Sequence, residues 1–167
     1  SKTMNITGLT LRNVGGGAAT SSVVLAQVLS AGGAMTLQGL VVDGATVDPT
    51  GTVAVVTLTG SGAATRLVAD DVTLTNVAGP VGLALVSGGI STITASDVVV
   101  TGASGTHVVQ LEADATSRRA SLVRARLEGN TMRGAQVRLL GAGSTLSEAL
   151  VVGGIGVEAD AGRIVNS

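Results

Sequence analysis

Few groups in this chain could carry chemistry: among 167 residues there are eleven Asp or Glu, ten Lys or Arg, one His and no Cys. The most suggestive set is Asp71, Asp97 and Arg124, with Asp70 beside the first. Each of the three directly precedes the same recurring phrase, in a column that reads Gly8, Gly39, Asp71, Asp97, Arg124, Ala149. If repeats stack, two carboxylates stand on adjacent rungs about 5 Å apart with an arginine on the next. Such a pair can share a proton or hold a hard cation. Asp71, Asp97 and Arg124 are therefore the candidate catalytic residues, and Asp70, Asp71 and Asp97 a candidate Ca2+ site. The competing reading is structural. Outward positions take polar residues in any case, and opposite charges on neighbouring strands stabilise pairing modestly. The structural reading is preferred, because a chain without Phe, Trp or Tyr has no ring on which a sugar could stack.

Other candidates are weaker. His107 opens a strand-like stretch with no base or nucleophile near it in sequence, so it reads as a surface or turn-end residue. One His and no Cys make zinc improbable. Arg118, Arg119, Arg124, Arg126, Arg133 and Arg138 cluster late in the chain. Of these, Arg118, Arg119, Arg124 and Arg126 form a candidate basic binding patch for anionic surface glycans, lipid headgroups or a neighbouring acidic surface. Nucleic acid is not expected without aromatic residues to stack on bases. Asn5-Ile6-Thr7 is an N-glycosylation sequon.

What would position these residues is a phrase of apolar, any, apolar, any, then Asn or Gly. It reads LTLRN (9–13), LVVDG (40–44), VTLTN (72–76), VVVTG (98–102), ARLEG (125–129) and LVVGG (150–154). Two-residue alternation is a strand, and Asn or Gly directly after it predicts a left-handed corner. The expected structural-turn residues are Asn13, Gly44, Asn76, Gly102, Gly129 and Gly154. The expected inward pairs are Leu9/Leu11, Leu40/Val42, Val72/Leu74, Val98/Val100, Ala125/Leu127 and Leu150/Val152. The phrases recur at 31, 32, 26, 27 and 25 residues, the mark of a stacked repeat. Each is preceded by a short strand-like stretch (MNIT, AMTL, ATRLV, STIT, SRRA, STLS) and followed by another (VVLAQVL, VAVVTL, VGLALV, HVVQLE, AQVRLL, IGVEA).

The chain is thus expected to be all-β: one right-handed parallel β-helix over 1–167, of about six coils with three short strands each and an aromatic-free core. It reads as a fragment or one subunit of a longer solenoid. The absence of rings, against 45 % apolar residues, fits a core too narrow to hold them. GGGAATSS (15–22) and ATVDPTGT (45–52) carry the extra residues of the longer coils and are expected to project. Charge-free Asn13–Val42 and Val72–Ser96 are broken by Gly, Ser and Thr, so no transmembrane segment is expected.

This coil pattern resembles the pectate-lyase-like superfamily of right-handed β-helices. Within it, GGAM (32–35) and GGI (88–90) are similar to the GGA-type repeats of polymorphic outer-membrane adhesins. The resemblance implies a surface or extracellular location and, for the carbohydrate-active members, clustered Asp with Arg, Lys or calcium. The function expected is a non-catalytic structural or adhesive solenoid without cofactor. Head-to-tail self-association is expected from two features. No end shows a polar cap, and residues 1–117 carry −4 while 118–167 carry +3. The alternative is a polysaccharide lyase or hydrolase using Asp71, Asp97 and Arg124.

Overall fold

The computed structural model describes residues 2–15, 22–28, 32–61, 65–88, 91–113, 119–159 and 163–165. These form strands and turns only, and every strand pairing is parallel. Parallel neighbours separated by a whole coil make this a β-solenoid of about five turns, close to the six coils expected. No helix among the described residues is long and apolar enough to cross a membrane.

Two sheets run the length of the shaft. The first stacks Thr3–Thr7, Ala34–Asp43, Thr65–Thr75, Ser91–Thr101, Arg119–Glu128, Thr145–Ser147 and Arg163–Val165, with Thr10–Arg12 and Leu150–Val151 at its two ends. The second stacks Val24–Val28, Val56–Ser61, Ala78–Gly88, Ser104–Ala113, Ala135–Leu140 and Ile155–Ala159, with short Thr131–Met132 beside Ser104–Ala113.

Strand alternation turns the sequence into inward columns. Leu11, Val42, Leu74, Val100, Leu127 and Val151 lie in one register. Facing them from the second sheet are Val24, Val56, Leu83, Val109, Val137 and Val157. In the middle coils these side chains are fully buried. Each such Leu or Val removes apolar area worth about 1.5–3 kcal/mol from water. Leu, Ile, Val, Ala and Met fill the core without a ring, as the composition requires.

Three expectations need correction. The short strand before each phrase is not separate: in the middle coils it runs into the phrase as one strand of ten or eleven residues. The bend between the halves is made by one left-handed residue, and that residue belongs to the Asp71/Asp97/Arg124 column. Second, the sixth phrase starts one residue earlier. Arg126 pairs with Leu150 and Leu127 with Val151, so Ala149 and Val151 face inward, while Leu150 and Val152 are 49 % and 46 % exposed. The phrase is therefore ALVVG, and Ile155, which opens the following stretch IGVEA, is 61 % exposed. Third, the 45–52 insertion projects only in part. Ala45 and Val47 are fully buried, and the protruding turn begins at Asp48, whose carboxylate accepts from the Thr50 backbone and hydroxyl. The 15–22 insertion lies mostly outside the described residues.

Candidate functional site: the charged corner column

Each coil turns twice through a single left-handed residue. The second corner carries the expected residues: Asn13, Gly44, Asn76, Gly102 and Gly129 have φ between 51° and 69°. Gly154 is left-handed too, at 71°, but register places Gly153, at 81°, in the column. At Gly44 φ is +69°, which strains most side chains, and an added Cβ would stand 2.7 Å from Asn13 Oδ1, so the Asn13 amide would have to shift.

The first corner is the candidate site. Gly8, Gly39, Asp71, Asp97, Arg124 and Glu148 occupy it, all with φ between 52° and 65°. The sixth member is Glu148 and not Ala149, which is buried at 8 % exposure in the core. Gly and Asp tolerate the left-handed region; Arg and Glu do so at a cost of about 1–2 kcal/mol. The column is thus selected first by backbone geometry.

Its side chains are engaged with one another. Arg124 Nε and Nη2 each donate to Asp97, both at 2.7 Å, in a bidentate pair on the surface. That hydrogen bond, more than charge alone, holds the Asp97 carboxyl below the usual carboxylate range and pushes the Arg124 guanidinium above its ordinary value. Asp70 belongs to a different column: Ser96 donates to it at 2.5 Å and Gln38 at 3.3 Å. Asp71 is exposed at the bend. Asp70, Asp71 and Asp97 therefore point into different surroundings, and no three Asp, Glu or His among the described residues converge as a metal site would need.

The basic patch is similarly divided. Arg126 pairs with Glu128 at 3.0 Å, and Arg138 Nε lies 3.5 Å from Glu158 without forming a hydrogen bond. Arg119 is exposed, whereas Arg118 lies outside the described residues. His107 is half-buried, and its Nδ1–H donates to the Ala135 carbonyl at 2.7 Å, which ties one coil to the next. Asn5 is exposed on strand Thr3–Thr7.

Two features carried no usable signal in the sequence. A groove of about 310 Å³ lies beside the projecting turn, lined by Pro49, Ser104, Thr106, Thr131, Met132 and Arg133 among others. It offers one cation and three hydroxyls but no acid–base pair. Near the carboxy-terminal end, Asn130 and fully buried Gln136 replace apolar residues. Asn130 Nδ2 donates to Gln136 Oε1 at 3.2 Å and its Oδ1 accepts from the Ala103 backbone, while Gln136 Nε2 reaches the Val152 and Gly153 carbonyls. These amides latch the second corner of the last coils together. Compared with protein-family models, curated proteins and solved structures, the chain matches none of them.

Proposed function

We propose that the chain is a non-catalytic structural or adhesive shaft of the cell surface or an extracellular filament, in the style of pectate-lyase-like β-helices and adhesin repeats. The observation that carries this reading is the shaft itself: two parallel sheets around an unbroken apolar core, with the strongest surface charges paired to one another. At the carboxy-terminal end the core opens into a cleft of about 230 Å³ lined by Leu146, Ala149, Leu150, Val151, Val157 and Ile164. At the amino-terminal end Ile6, Leu9 and Leu11 are only partly covered, and Met4 is 43 % exposed. A further layer, from the same chain or from another, would cover apolar edges of this kind. Along the shaft, the strongest charges are paired with each other, which suits a passive surface better than a cleft for turnover. Anionic glycans are the partner for Arg119 and its neighbours.

The alternative, a polysaccharide lyase or hydrolase, asks Asp97 and Arg124 to leave their mutual bond for substrate. Electron microscopy and light scattering at low salt separate the two readings when run beside an assay on acidic polysaccharides. Fibres or long oligomers without cleavage are expected. Monomers at high concentration, or cleavage that Asp97→Ala abolishes, would overturn the proposal.

A further inference from the structure

Building on the adhesive side of the shaft reading, we infer that the groove beside the projecting turn binds a carboxylate-bearing sugar of an acidic saccharide chain, through Arg133 and the hydroxyls of Ser104, Thr106 and Thr131. The groove is assembled from successive coils. Thr46, Ala78, Ser104 and Thr131 stand in one column, each paired with the next. Pro49 follows the first of these and Met132 and Arg133 follow the last, yet all three line the same groove. It therefore runs along the shaft for about 14 Å, three steps of about 4.8 Å. Its volume of about 310 Å³ is at the small end for small-molecule sites. That is room for a short stretch of chain.

The polar groups of the groove are uncommitted. Several side chains elsewhere on the shaft satisfy one another: Arg124, Arg126 and Arg138 face Asp97, Glu128 and Glu158, and Ser96, Thr145 and Thr50 donate to Asp70, Ser121 and Asp48. Among the described residues, the Arg133 guanidinium and the Ser104, Thr106 and Thr131 hydroxyls have no such partner. No acid is among the described residues that line the groove. Asp48, the acid next to Pro49, is turned to the Thr50 backbone and hydroxyl at 2.8 and 2.6 Å. A guanidinium without a counter-charge presents parallel N–H donors that match a carboxylate.

The backbone decides between a sugar and a peptide. The N–H groups of Ala78, Ser104, Thr131 and Arg133 donate to Ala45, Val77, Ala103 and Gly105 of neighbouring coils. The Ala78, Gly105 and Thr106 carbonyls accept from Val47, Arg133 and Gly134. Pairing along the shaft thus occupies the backbone of the floor, and an acidic peptide finds no strand edge there to extend. What remains are hydroxyls, each able to donate and accept, beside the apolar side chains of Pro49 and Met132. A sugar ring presents the same mixture, hydroxyls around an apolar C–H face. With no acid–base pair in the groove, the ligand is held and not cleaved.

Calorimetric titration of the full chain with uronic-acid trisaccharides, in α- and β-linked forms, tests the site. Binding of at least one, without cleavage, is expected. Arg133→Gln should weaken it at least about tenfold, the loss of a charge-assisted contact. Reducing the carboxyls of the same trisaccharide to alcohols should do as much. Thr131→Val, which keeps the side-chain shape, should weaken binding about threefold to tenfold, whereas Thr73→Val on the other sheet should leave it unchanged. Binding that Arg133→Gln leaves intact, acetate that competes at the same concentration, or tri-glutamate that binds as tightly would overturn the groove as a saccharide site. A larger loss in Arg119→Gln than in Arg133→Gln would also overturn it, and would leave the adhesive reading resting on the basic patch. No binding by either trisaccharide overturns the groove, while the structural shaft is still judged by its fibres. Cleavage of a trisaccharide would overturn the non-catalytic reading itself.

Discussion

At Arg124 and Glu148 the backbone adopts φ of 52° and 53°, a region that long side chains occupy only at a cost. Arg124 gains a bidentate bond to Asp97, whereas Glu148 has only a weaker coulombic attraction to Arg124 to set against its strain. Glu148→Gly should therefore raise stability by about 0.5–1 kcal/mol, read as a shift of the urea midpoint; a drop would mean that Glu148 supplies something more. The opposite outcome is expected for Gly105→Ala, because its Cβ would collide with the Gly79 carbonyl oxygen of the coil beneath. Loss of cooperative unfolding, followed by circular dichroism, checks it. Asp97 titrates below its ordinary value because Arg124 hydrogen-bonds its charged form. A depressed carboxyl stabilises the fold above its unfolded pKa of about 3.9, and that contribution fades as pH falls through the folded value. Arg124→Ala should return Asp97 to the ordinary range in an NMR titration and remove this acid-side dependence; the contribution is small because both partners are exposed. The sequence made this column visible but not its cause. Gly and Asp at four of its six places are left-handed-tolerant types, a signal that a corner was present. Arg124 and Glu148 carry no such signal, so the column read as an outward ladder.

At the level of elements, the alternating phrase was enough to identify inward residues in the second to fifth coils. It failed in the sixth for a physical reason: ALVVG and LVVGG both satisfy it, and Gly153 and Gly154 are both left-handed. Only pairing with Arg126 and Leu127 chooses between them. Strand boundaries around the insertions were also hidden, since Ala45 and Val47 look like loop residues yet are buried against Gly79 and the core. Stacked repeats gain stability mainly from nearest neighbours, so protection should follow position along the shaft. Amide exchange is expected to be slowest in Thr65–Thr75, Ser91–Thr101 and the start of Arg119–Glu128, which have long partners on both sides. It should be fastest in Thr3–Thr7 and Leu150–Val151. Leu74→Ala, at a fully buried central position, should cost about 2–5 kcal/mol. The same change at partly covered Leu11 should cost clearly less for the isolated chain. Equal costs in denaturant titrations would mean that the amino-terminal edge is covered after all.

For the whole molecule, the decisive quantity is what happens when one end meets another. Any process that buries Leu9, Leu11, Val151 and Val157 together in the folded state alone raises apparent stability by mass action. The melting temperature should therefore rise with protein concentration, and Leu11→Glu, which puts a charge into the seat, should abolish that rise. Salt separates the two contributions to the joint. Charges on the end coils attract only within the screening length, so raising ionic strength to about 1 M, where that length is about 3 Å, removes any steering by them. The apolar seat is not weakened by such screening. Association followed by light scattering should then slow markedly with salt, while the assembled material, once formed, dissociates no faster. Dissociation that accelerates with salt as strongly as association slows would mean that charge, and not the open core, holds the ends together. The exposed Leu150, Ile155 and Ile164 would then need another partner.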